Sequence, residues 1–330
     1  MHHDRVLVAG FALWATVVLM PLSVAAQSQA PAARRPDGKP NLEGVYNFST
    51  ITPLERPATL AGKEALTQEE AAAFEASENR RLNRDLFDPV KGAPSAGYPS
   101  RAEGGVLSYN EFWYERGNQL TKDKRTSLIV DPPDGRIPYT AAVRSAAAAE
   151  RKRLYEGFAD NYTDRSLADR CLLGFNAGPP LVPGAYNNNL QIVQTAREVV
   201  IFNEMVHTAR IIPIDGRPHG TMRRWSGDSR GRWEGETLVV DTINFLRETS
   251  LQGSSAQTRL VERFTRIDDH TIKYEFTVTD PTSYTRPWTA VVPLVSSDGP
   301  IYEYACHEGN YAMEGILKGA RLRESLGAGK

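Results

Sequence analysis

The chain has 330 residues, with 39 Lys and Arg against 40 Asp and Glu, giving a formal net charge of −1. This balance excludes the broad basic surface that nucleic acid or an anionic membrane demands of a partner. Hydrophobic residues make up 41%, ample for a core, and the length suits two domains or one large β-rich domain with elaborations.

The opening "MHHDRVLVAGFALWATVVLMPLSVAAQSQA" has a short n-region ending in Arg5. An apolar run from Val6 to Met20 follows, then Pro21 and the small residues Val24-Ala25-Ala26. That is the pattern of a secretory signal peptide cleaved near Ala26, with a membrane anchor as the competing reading. Residues 27–40 form a Pro/Ala-rich leader. Export decides how the two cysteines read. In an oxidising compartment Cys171 and Cys306 are expected to pair, with free thiols as the alternative. The sequence carries no C-x-x-C or H-x-x-x-H, so neither a zinc site nor any other metal or cofactor is expected.

"NLEGVYNF" (41–48) predicts a short first strand. "LTQEEAAAFEASENRRLNRDLF" predicts a helix, with Thr67 as N-cap and Glu70 completing a T-x-x-E capping box. "RTSLIVDPPDGRIPYT" reads as strand, turn, strand. "TAAVRSAAAAERKRLYEG" reads as a second helix ending near Gly157. From Asn187 onward the pattern is a succession of strands: "LQIVQT", "EVVIFNEMVHTARIIPI", "GTMRRWSG", "ETLVVDTINF", "TRLVERFTRI", "TIKYEFTVTD", "WTAVVPLV" and "IYEYAC". Short polar segments such as "GDSRGRWEG" would join them. Sequential strands with short links argue an antiparallel meander, closed into a barrel that leaves no sticky edge, with a β-sandwich as the rival. Met313, Ile316, Leu317 and Ala320 have helical spacing and predict a final helix, which Asn310 could cap. The expected architecture is mainly β with some α. A mixed helical and hairpin elaboration (41–165) packs on a lipocalin-like barrel with a C-terminal helix (166–330).

Strand parity locates candidate chemistry. In "TIKYEFTVTD" Ile272, Tyr274, Phe276 and Val278 form an apolar inward face. In "TRLVERFTR" the matching set is Leu260, Glu262 and Phe264, which puts a carboxylate in an apolar interior. It needs a partner there, and Arg210, Arg223 and Arg224 are the candidates. The bland role of Glu262 is a bracing ion pair; the sharper one is acid/base chemistry or binding. If "FNEMVHTAR" is one regular strand, Glu204, Val206, Thr208 and Arg210 share a face opposite Asn203, Met205 and His207. His207 and His307 are the imidazoles that could act as bases. His307 follows Cys306 at the end of a strand; His219 lies in a loop and could reach a barrel mouth. Trp113, Tyr114, Arg210, Trp225, Tyr284 and Trp288 are candidate ligand-binding residues, since aromatics with a few polar groups are what a small-molecule pocket needs. They serve equally well as a core plug.

The strings "PDGKPNLEGVY", "TSLIVDPPDGRIPYT", "DRCLLG", "GAYNNNLQIVQT", "MVHTARIIPIDGRPH", "RWSGDSRGRWEGETLVVDTINF", "DPTSYTRPWT" and "YEYACHEGNYAM" resemble a family of uncharacterised secreted bacterial proteins. The resemblance spans nearly the whole mature chain. It implies export, to the periplasm or beyond, and one shared fold, and transfers no activity or catalytic residue. The meander is also similar in a general way to lipocalin-like barrels, which licenses no function. Two functions remain from the sequence. One is a barrel binding a small, partly apolar molecule. The other is a metal-independent hydrolase, lyase or isomerase using His207 or His307 with a carboxylate such as Glu262. In either case the partner is a small molecule, not nucleic acid or membrane.

Overall fold

The computed structural model describes residues 34–86, 111–146, 149, 159–247, 251 and 253–327. The expected signal peptide, Gly157 and the end of the second helix lie outside these residues; residues 141–146 of that helix are helical.

Ten antiparallel strands form one sheet. They are β1 (Gly44–Asn47), β2 (Ile129–Asp131), β3 (Asn189–Gln194), β4 (Glu198–Asn203), β5 (Ala209–Pro213), β6 (Asp228–Glu234), β7 (Thr237–Ile243), β8 (Arg259–Arg266), β9 (Thr271–Thr279) and β10 (Trp288–Ser296). Nine follow the order β5-β4-β3-β1-β10-β9-β8-β7-β6, and β2 adds to β10 off this path. The two meanders, β3–β5 and β6–β10, are joined through β1, which pairs with both β3 and β10. The sheet curls into a nearly closed barrel, leaving a seam between β5 and β6. Gly231 permits the approach there: a Cβ added to it would lie 2.7 Å from Ile214 Cγ2 and 3.0 Å from Ile212 Cγ2.

The inward faces fill the barrel. Tyr46, Phe264, Tyr274, Phe276 and Trp288 are all buried. A chain of ring contacts runs Phe264–Tyr274–Phe276–Trp288–Tyr284, with centroids 4.8–6.0 Å apart. These spacings suit offset and edge-to-face packing. The interior is therefore a packed core, and Tyr284 and Trp288, expected to line a pocket, are part of it.

The N-terminal helix Gln68–Leu82 starts as the sequence predicts. Thr67 Oγ1 accepts from Glu70 N (3.2 Å), and Glu70 Oε2 accepts from Thr67 N (2.9 Å). Asn310 Oδ1 likewise caps the C-terminal helix Tyr311–Ser325 by accepting from Met313 N. Strands β1 and β2, from the segment expected to be elaboration, belong to the barrel sheet.

Four expectations are corrected. "EVVIFNEMVHTARIIPI" is a hairpin, with a turn at Met205–His207 between β4 and β5. Val206 has φ 56° and His207 φ 39°, so Glu204 and Arg210 do not share a strand face. "GTMRRWSG" is irregular, while the presumed connection "GDSRGRWEG" contains β6. Residues 136–139 form no strand beyond an isolated bridge from Tyr139 to Tyr284. Finally, "IYEYAC" is not a strand. It has no free edge beside β10, whose one side pairs with β9 and whose other side is shared by β1 and β2.

Candidate functional site

Glu262 is fully buried inside the barrel and finds its partner in Arg210. Arg210 Nη1 donates to Glu262 Oε2 (2.6 Å) and Nη2 to Oε1 (2.9 Å), a bidentate pair spanning β5 and β8. Tyr274 Oη donates to Glu262 Oε1 (2.8 Å) and accepts from Leu181 N (3.1 Å). Burial drives the Tyr274 hydroxyl well above its usual pKa, and the Glu262 charge adds to this. Burial opposes the charge of Arg210, but Glu262 outweighs it and raises the guanidinium pKa. Leu181 is itself buried in the barrel core, so this polar chain fastens the loop preceding β3 to the barrel interior.

The open space lies at the seam. A groove of about 640 Å³ runs between β5 and β6 and includes Arg210, Arg217, Arg223, Arg224, Trp225 and Arg230 in its walls. Not all of these charges are free. Arg210 is paired with Glu262, Arg217 with Asp215 and Arg230 with Asp228. Among the described residues, Arg223 Nη1 donates to the carbonyls of Phe245 (2.9 Å) and Ala256 (2.5 Å) and to no carboxylate. Arg224 is exposed and makes no ion pair among the described residues. Trp225, 37% exposed, and Ile211, 58% exposed, give the groove an apolar side.

Behind the groove wall, His219 sits between two carboxylates. Its Nδ1 is 3.2 Å from Asp228 Oδ2 and its Nε2 is 3.5 Å from Asp241 Oδ2. Asp228 also accepts from Gly220 N (2.8 Å) and Arg230 Nη1 (2.7 Å). Burial would raise the Asp228 pKa, but these donors outweigh it and hold the carboxyl below its usual range. Nδ1 is hydrogen-bonded to Asp228, while the buried Nε2 faces Asp241 without a hydrogen-bond partner among the described residues, so His219 fastens the 214–227 loop onto β6 through Asp228.

The structure disperses the other expected site residues. Trp113 is 62% exposed on a short 3-10 turn, and Arg116 stacks its guanidinium 4.4 Å over the ring of Tyr114. His207 is exposed, with Nδ1 3.1 Å from Tyr304 O, and His307 is exposed on the turn before the C-terminal helix. Cys171 and Cys306 form the expected disulfide, with Cα atoms 5.7 Å apart. It anchors a small satellite core of Leu167, Leu173, Ala177, Met205 and Val206. Sequence reasoning named Arg210, Trp225 and Glu262 but missed Asp228 and the His219 clamp. The strand that carries Asp228 was read as a connection.

A second groove, of about 590 Å³, separates the N-terminal helix from the barrel. Both of its arginines have carboxylate partners, Arg81 with Glu78 and Arg116 with Glu111, so it offers less to an anion. Comparison of the chain with protein-family models, curated proteins and solved structures finds no match, and the seam groove stands on its own chemistry as the candidate site.

Proposed function

We propose that this is an exported small-molecule-binding barrel whose ligand is a small, partly apolar anion seated in the β5–β6 groove. The observation that carries this reading is the meeting, in one groove, of Arg223 and Arg224 without carboxylate partners among the described residues and the exposed side of Trp225. Guanidinium groups bind carboxylates, sulfates and phosphates through planar, charge-assisted hydrogen bonds. An aryl or alkyl body would lie against Trp225 and Ile211. Export is supported by the signal-like N-terminus and by a disulfide, a bond typical of oxidising compartments.

The enzymatic alternative, with His207 or His307 as base, has no comparable observation in its favour. Neither imidazole lines the groove, Glu262 is tied up by Arg210 and Tyr274, and His219 lies outside the groove lining with its Nδ1 held by Asp228.

Calorimetry with aryl carboxylates, aryl sulfates and aryl phosphates, each beside a neutral isostere, tests the proposal. The anions should bind, with affinity falling as salt rises. Arg224→Gln should weaken them about tenfold, or about 1.4 kcal/mol. Equal binding of the neutral isosteres, or full affinity in Arg224→Gln, would contradict it.

A further inference from the structure

A ring of side chains closes between the 176–188 loop and the β4–β5 turn. Asn176 Nδ2 donates to Asn187 O (3.1 Å), and Asn187 Nδ2 donates to Glu204 Oε1 (2.6 Å). Glu204 follows Asn203 in the chain. Asn203 Nδ2 donates to Ala177 O (2.8 Å), which returns the ring to Asn176. The amide orientations are fixed by these acceptors. Asn176 Nδ2 also faces Tyr186 O (3.0 Å) and Asn188 Oδ1 (3.1 Å), so nitrogen and oxygen cannot be exchanged without setting oxygen against oxygen.

Oxygens are left over. Asn176, Asn203 and Glu204 are 1%, 3% and 3% exposed. Their Asn176 Oδ1, Asn203 Oδ1 and Glu204 Oε2 atoms are buried without a hydrogen-bond partner among the described residues. Leaving a buried acceptor without a donor is costly, and more so when it is charged. Folded proteins rarely leave such groups empty, and an ion or water commonly fills the gap. Here the surplus consists only of oxygen, includes a carboxylate, and comes from a ring whose side-chain nitrogens are already in use.

We infer that the ring of Asn176, Asn203 and Glu204 is a calcium site that holds the 176–188 loop against the β4–β5 turn. Amide and carboxylate oxygens are the ligands of a hard cation. Zinc prefers nitrogen and sulfur, and magnesium demands near-ideal octahedral geometry and keeps several waters. With one carboxylate in the set the affinity should be modest, in the range of about 10⁻⁴–10⁻³ M that extracellular calcium modules show. Among the described residues no group of three His, Cys, Asp or Glu could hold a metal. A site made mostly of amides would therefore leave no acidic motif in the sequence. Through Leu181, which lies on the same loop, calcium would also steady the plug of the barrel.

The test is made on the full mature chain after dialysis against a chelator. Calorimetry with calcium chloride should find one site, and about 5 mM Ca²⁺ should raise the melting temperature by a few degrees over the chelated protein. The same concentration of Mg²⁺ should raise it less. Glu204→Gln can still accept from Asn187, so it should melt normally in chelator while binding Ca²⁺ at least about tenfold more weakly. Identical melting of the native chain in Ca²⁺ and in chelator, with no binding heat, would mean that the ring holds water only. Undiminished Ca²⁺ binding by Glu204→Gln would place the ion elsewhere. Either result overturns the inference, and the native-chain measurement decides even if a variant fails to fold.

Discussion

Arg210 and Glu262 form a bidentate ion pair across the barrel, with N–O distances of 2.6 and 2.9 Å and almost no exposure of either side chain. Removing one partner strands a buried charge. Arg210→Met or Glu262→Leu alone should each cost about 3–5 kcal/mol, whereas the double substitution should recover much of that loss. Urea unfolding of the two single variants and the double variant measures the coupling. Additive losses would show that the charges are solvated independently.

Leu181 enters the barrel beside Tyr274, which accepts a hydrogen bond from its backbone N–H. Leu181→Ala should cost about 2–5 kcal/mol through the cavity left behind. Tyr274→Phe leaves the Leu181 N–H without its acceptor and leaves Glu262 Oε1 with only its Arg210 donor, and should cost about 1–3 kcal/mol. Losses below about 0.5 kcal/mol in both would show that the loop is not anchored in this way.

Cys171 and Cys306 are separated by 135 positions. On the chain-entropy account, bridging so long a loop stabilises the fold by about 5 kcal/mol. Reduction should therefore lower the melting temperature of the native chain and leave that of a Cys171→Ala/Cys306→Ala variant unchanged. Equal melting of the native chain with and without reductant would count against a structural role.

Asp280 accepts hydrogen bonds from Ser255 N, Thr258 Oγ1, Thr282 Oγ1 and Ser283 Oγ. Burial alone would raise its pKa, but these donors outweigh it and hold the carboxyl at about 2. Its folded pKa lies below the unfolded value of about 3.9, so its contribution is present above pH 4 and is lost as pH falls from about 4 towards 2. The size is about 2 kcal/mol. Asp280→Asn should be less stable by about that amount at pH 7 and should show a flatter stability profile below pH 4. A profile parallel to that of the native chain would contradict this.

The parts of the fold that were legible in the sequence are those where inward and outward faces differ sharply in polarity. On β9, Ile272, Tyr274, Phe276 and Val278 alternate with polar residues, and all four are buried. The same parity put Glu262 in the interior and made Arg210 a candidate partner. Strand β6 was hidden because its inward residues are Ser229, Gly231 and Trp233, and glycine and serine carry no hydrophobic signal. The β4–β5 turn was hidden because it contains neither glycine nor proline. It places Val206, a β-branched residue, at φ 56°, and packing of that side chain into the satellite core beside the disulfide holds it there. The groove was invisible for a different reason. Its arginines come from β5, from β6 and from an irregular loop, and only closure of the seam brings them together.

The central claim is that an anion binds beside Trp225 in the seam groove. Fluorescence titration of the native chain with an aryl sulfate, alongside Trp225→Phe and Arg224→Gln, tests it most directly. Saturable quenching in the native chain, absent in Trp225→Phe and shifted about tenfold to higher ligand concentration in Arg224→Gln, is the expected result. Quenching that persists unchanged in Trp225→Phe would put the ligand against another tryptophan and contradict the account.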